Sequence, residues 1–223
     1  MDYVFLDKMC NDIITSFEDS PNYQLCIEKG VINDDNNTDN DINYWYKKGY
    51  EVYNNIIDVT DNESTKIQIV KYFYARGIRI KVAIEFGDGG NNISSYSVNE
   101  LKKIDKIFSE LLNNIGIVYN ELDNNSDMSY KLFSMAYCCG NGMAGINLGN
   151  IKINKFNDKV EAKNYFKSVI DGKMLDNYFT NQTYGQLAKN TLYKICTTEL
   201  KKLSLENEIQ HNENIINNDG NCL

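Results

Sequence analysis

Gly140-Asn141-Gly142-Met143-Ala144-Gly145 matches the pattern G-x-G-x-x-G, and Asp158 and Glu161 follow at roughly the distance of a ribose-binding acid. In a dinucleotide site those glycines come directly after a strand, so that a tight turn and the amides of the next helix meet a pyrophosphate. Tyr130 to Cys139, just before them, has helical spacing instead, and no parallel-strand runs surround it. The turn of a helical repeat explains the same glycines without a ligand. A nucleotide-binding enzyme using the Gly140 to Gly145 loop is therefore kept as the alternative to a scaffold, and no cofactor is expected.

Asp35-x-Asn37-x-Asp39-x-Asp41-Ile42 imitates the start of a calcium-binding EF-hand loop. Calcium needs a bidentate carboxylate at the twelfth position of such a loop. That residue is Tyr46, and Asn40 stands where glycine is usual, so a solvated acidic loop is expected. The cysteines, Cys10, Cys26, Cys138, Cys139, Cys196 and Cys222, form no C-x-x-C pair, and the one histidine, His211, lies in polar text. No metal site follows from that spacing. With no histidine partner for any serine, threonine or cysteine, nucleophilic catalysis has no candidate either, and the chain is not expected to be an enzyme.

The chain has 223 residues and a net charge of -8, which argues against general nucleic-acid binding, where lysine and arginine replace phosphate counterions. Met1 to Phe17 lacks the basic and apolar regions of a signal peptide, and no run approaches the roughly 20 apolar residues of a membrane helix. A soluble, cytoplasmic protein without membrane or nucleic-acid partners is expected, with its cysteines reduced.

Apolar spacing places the elements. Leu6, Cys10, Ile13 and Phe17 share one helical face, which Ser20-Pro21-Asn22 should end. Asn33 to Asp41 reads as a loop. A helix capped by Asp41 should carry Ile42, Trp45, Tyr46, Gly49, Val52, Tyr53 and Ile56, and another should run from Asn62 or Ser64 through Ile80. Residues 78–86 suit a helix or a strand, because Ile78, Ile80, Val82, Ile84 and Phe86 alternate with more polar neighbours. Gly87 to Asn92 is a turn on either reading. Ser97-Val98-Asn99-Glu100 is a capping box that opens a helix over 97–122. Helices follow at about 127–139, 142–154, 159–171 and 181–203, and residues 204–223 read as a disordered tail beyond a helical domain over 1–203.

Ile115 to Ala136 and Leu148 to Val169 repeat the same residue classes at an offset of 33: Ile115-Gly116 answers to Leu148-Gly149, Ser129 to Ala162, and Phe133 to Phe166. A weaker echo places Val82, Ala83 and Phe86 before Ile115, Gly116 and Tyr119. Such a period marks stacked units, each too small to bury its own apolar face.

Ser129-Tyr130-x-x-Phe133-x-x-Ala136, Gly140, Ala144, Leu148-Gly149, Asp158, Ala162, Tyr165-Phe166 and Gly172 resemble a Sel1-like repeat, a relative of the tetratricopeptide repeat. The resemblance covers about 110–172 and departs from the family at Lys152 and Val169. It implies an all-α fold of antiparallel helix pairs stacked as a short right-handed superhelix. It also implies a non-catalytic scaffold or adaptor that binds a protein or peptide in a groove. The groove-facing positions become Asn113, Ile117, Asn120, Met143, Ile146, Asn150 and Ile153, where asparagine amides would hold a peptide backbone. The remaining possibility is a purely structural helical domain.

Overall fold

The computed structural model describes residues 1–32, 41–86, 96–170, 194, 196–206 and 208–209. The expected 33–41 loop up to residue 40, the Gly87 to Asn92 turn, the 181–193 part of the last helix, and His211 lie outside them. Among the described residues the regular elements are all α-helices, and none is a strand. The chain divides into two compact units, Met1–Cys139 and Gly140–Leu223.

In the first unit α1 (Tyr3–Glu18) begins where the Asp2 carboxylate accepts the Phe5 amide at 3.0 Å. Pro21 follows α1 as expected but also opens α2 (Pro21–Glu28), which the sequence reading lacks. A proline in the first turn loses nothing by having no N–H, and its fixed φ suits a helix start. Helix α3 (Ile42–Tyr53) is capped by Asp41, α4 spans Glu63–Phe86, α5 Val98–Glu121 and α6 Ser126–Cys138. Residues 78–86 are thus helical. Helix α4 packs against α1, α3 and α5. Burial on several sides removes the single apolar stripe that would mark its last turns as helix, and leaves the accidental alternation over 78–86.

Side-chain pairs fix how these helices run. Arg79 meets Asp7 at 3.0 Å while Arg76 and the Tyr72 hydroxyl meet Glu18 at 3.2 Å, so α1 and α4 are antiparallel. Lys81 meets Asp105 at 2.7 Å, and Lys71 lies 4.2 Å from the centre of the Tyr119 ring, so α4 and α5 are antiparallel too. Lys71 also pairs with Asp123. Phe17, Trp45, Tyr72, Phe73 and Phe108 fill the interior. Full burial of one large apolar side chain contributes about 1.5–3 kcal/mol.

The second unit holds α7 (Gly142–Asn154), α8 (Lys159–Ile170) and a helical stretch over 196–206. Ile146, Ala162, Phe166 and Val169 form its core with Cys196 and Leu203. The stretch continues past Leu203, and Lys159 bonds Glu206 at 2.9 Å.

The hairpins α5–α6 and α7–α8 share individual bonds at the offset of 33. The Asn125 amide donates to the Tyr119 carbonyl and the Asp158 amide to that of Lys152, both at 2.8 Å. Asn124 and Asn157 turn the chain at φ 53° and 51°, in the left-handed region that asparagine tolerates. Asn125 and Asp158 then cap the next helices, accepting from Met128 and Glu161 at 3.1 and 2.9 Å. A Cβ on Gly116 would come within 2.7 Å of the Phe133 ring, and one on Gly149 within 2.4 Å of Phe166. Glycine under an aromatic ring also joins α3 to α4, where a Gly49 Cβ would lie 2.4 Å from Tyr74. The echo at Val82 to Phe86 has no such role: it lies at the end of α4, and the matching glycine is Gly49.

Candidate interaction face

Tyr46, Tyr50 and Tyr53 stand at i, i+4 and i+7 on α3 and therefore form one stripe. Glu110, Asn114, Ile117 and Glu121 form another on α5, and the two helices are in contact. The Tyr46 hydroxyl faces Glu110 and Asn114, and the Tyr53 hydroxyl donates to Glu121 at 3.2 Å. Contacts that advance together along both helices mean that α3 and α5 run parallel. Their C-terminal ends, at Tyr53 and Glu121, consequently meet.

Burial raises the Tyr46 and Tyr53 phenols above their ordinary range, and the negative charges of Glu110 and Glu121 add to the effect. Tyr74, behind them, is raised chiefly by burial. These phenols stay protonated at neutral pH and act as hydrogen-bond donors and aromatic platforms. Tyr46 and Tyr50 stack with centroids 6.4 Å apart, and Tyr50 is 47% exposed.

The positions expected to line a groove fall on both units. On α5, Ile117 joins the tyrosine face, Asn120 is half-buried beside it, and Asn113 is buried, with its amide 3.4 Å from Asn114 Oδ1. On α7, Met143 is exposed and Asn150 half-buried, whereas Ile146 is a core residue and Ile153 packs against that core. Asn113 and Ile146 are thus unavailable as groove walls, because neighbouring side chains already cover them. Sequence reasoning missed Tyr46, Tyr50, Tyr53, Glu110, Asn114 and Glu121 as an interaction set. Their helical spacing is legible, but tyrosine serves a core or a surface equally well, and Tyr46 and Tyr53 share the helical spacing of the buried Trp45 and Val52.

Other reactive groups are engaged structurally. Lys81 is buried between Glu85 at 2.6 Å and Asp105 at 2.7 Å. Desolvation opposes its charge, but bonds to Asp105 and Glu85 outweigh it and raise its pKa, so it is a fixed ammonium and not a nucleophile. Cys139 is pushed up to about 11 by burial. At the glycine run a helix precedes Gly140, and the buried Asn141 side chain takes the Ala144 amide at 3.0 Å. That amide is one a pyrophosphate would need. Between α1 and α4 a cavity of about 370 Å³ is floored by Ile13 and Phe17 and includes Lys71, whose ammonium is held by Asp123. Among the described residues no group of three or more His, Cys, Asp or Glu side chains is placed to hold a metal, and no helix is long and apolar enough to cross a membrane.

Compared with known proteins, the chain matches no protein-family model, no curated protein and no solved structure.

Proposed function

We propose that the chain is a non-catalytic scaffold that binds a protein or peptide partner, built from stacked helix pairs of the Sel1-like and tetratricopeptide kind. The recurrence of one hairpin design, down to its turn asparagine, cap and glycine–aromatic contact, carries this reading. Repeated hairpins present repeated helix faces, and such faces are suited to extended partners. The parallel pair α3 and α5 supplies a face of tyrosines, and tyrosine is enriched where proteins meet because its rigid ring buries area at low entropic cost.

The test begins with a partner captured from the native cell on the full-length chain, purified and titrated by calorimetry. Replacing Tyr50 and Tyr53 together by Ala should weaken saturable binding by about tenfold or more, as loss of aromatic anchors does elsewhere. Replacing Asn120 and Asn150 together by Ala tests the asparagine positions in the same assay. A partner that binds every folded variant as it binds the natural chain would move the interaction site elsewhere. Failure to find any saturable partner would favour the purely structural domain.

A further inference from the structure

Resting on the scaffold reading, we propose that the α3–α5 face recognises a cationic partner: an extended protein segment whose arginine or lysine docks at the joined C-terminal ends of these helices. Charge is the first reason. Glu110 and Glu121 each approach a tyrosine hydroxyl, a neutral donor that leaves the carboxylate its charge. The nearby Lys47 on α3 is held by Glu51 at 3.7 Å. Lys106 stands one turn before Glu110 in α5, on the same face, so the charge available at the C-terminal end is that of Glu121; the other cations near that end are held, Lys66 by Glu63 at 3.9 Å and Lys71 by Asp123. Because α3 and α5 are parallel, the negative ends of both helix dipoles fall beside Tyr53 and Glu121, adding to the attraction for a cation.

The second reason is the aromatic surface. A guanidinium or ammonium over a tyrosine face is attracted by the ring quadrupole, and Tyr50 is exposed on this face. The same chemistry operates inside the unit, where Arg76 lies 4.8 Å from the Trp45 ring centre and Lys71 lies 4.2 Å from that of Tyr119. An acidic or phosphorylated segment would instead meet two carboxylates. A wholly apolar helix would strip water from those carboxylates without replacing it.

Fluorescence anisotropy of the full-length chain with a fluorescein-labelled Gly-Arg-Gly-Arg-Gly peptide tests this, beside the same peptide with Glu in place of Arg. The arginine peptide should bind, more weakly as salt is raised, and the glutamate peptide should not. E110Q/E121Q should weaken binding by about tenfold, while D12N/D19N, which removes equal charge from exposed positions on α1 and its C-cap, changes it by less than about twofold. Tyr50→Ala should weaken binding and Tyr50→Phe should not, with circular dichroism showing each variant folded. No binding of the arginine peptide, or equal losses in both charge pairs, would overturn the proposal. If a captured protein partner binds E110Q/E121Q unchanged, cation recognition fails while the scaffold stands; if no partner binds saturably, the scaffold itself fails.

Discussion

At Gly116 an added methyl group would sit 2.7 Å from the ring of Phe133, which is 1% exposed and has little room to retreat. Overpacking of this kind costs about 1–3 kcal/mol, against a gain of about 1 kcal/mol from replacing a helical glycine. Gly116→Ala should therefore destabilise the chain by about 1 kcal/mol in urea unfolding, the difference between those two effects. Phe133→Leu should cost less in that background than in the natural chain, because the smaller side chain relieves the clash. At the other glycine run, nicotinamide and flavin cofactors should give no thermal shift. A bound ligand at about a hundred times its dissociation constant would add about 2.7 kcal/mol, and a saturable shift abolished by Gly142→Val would support the nucleotide-binding alternative. The glycine–phenylalanine pairs were legible at this scale as matched letters. The Gly49–Tyr74 contact was not, since a longer connection between α3 and α4 breaks the offset.

Local bonds made α5 the clearest element to read. Ser97 and Glu100 cap each other: the Ser97 amide and hydroxyl donate to the Glu100 carboxylate at 2.8 and 2.6 Å, and the Glu100 amide donates back at 3.3 Å. Ser97→Ala should cost about 1 kcal/mol of stability by thermal or urea unfolding. Those bonds hold the Glu100 carboxyl below its ordinary value of 4.5, chiefly through the Ser97 hydroxyl. A depressed folded value means that the cap is intact above the unfolded value and is lost as pH falls below 4.5 through the folded one. The Ser97 amide resonance should therefore titrate with a midpoint below 4.5, and a midpoint at or above it would contradict the capping geometry. Helices whose signals are not local were harder to read. In α4 contact with three neighbours blurs the period, and Pro21, which follows the end of α1 as its sequence position implies, also opens α2, a second role that a short helix with few apolar residues does not signal. The tyrosine face failed to announce itself for a related reason: residue type shows that a ring can be buried, but not which neighbour buries it.

Across the whole molecule, the chain forms two compact units, Met1–Cys139 and Gly140–Leu223. Ending the chain at Leu203 should preserve cooperative unfolding. Leu203 is 2% exposed and is retained, while the Glu206 partner of Lys159 that is lost belongs to an exposed pair, worth about 0–1 kcal/mol. Loss of a cooperative transition in far-ultraviolet circular dichroism would show that later residues complete the fold. Trp45, the only tryptophan in the chain, is 2% exposed in the first unit, beside Arg76 and among tyrosines. Its emission is thus a natural beacon for Met1–Cys139 alone, shifted to the blue while the indole is shielded and fed by energy transfer from neighbouring phenols. Gly140–Leu223 is dark in that channel but contributes fully to the dichroism of the backbone. Superimposed melting curves in the two signals would mean that the units unfold as one cooperative body, and separated curves would give each unit its own melting temperature without any label.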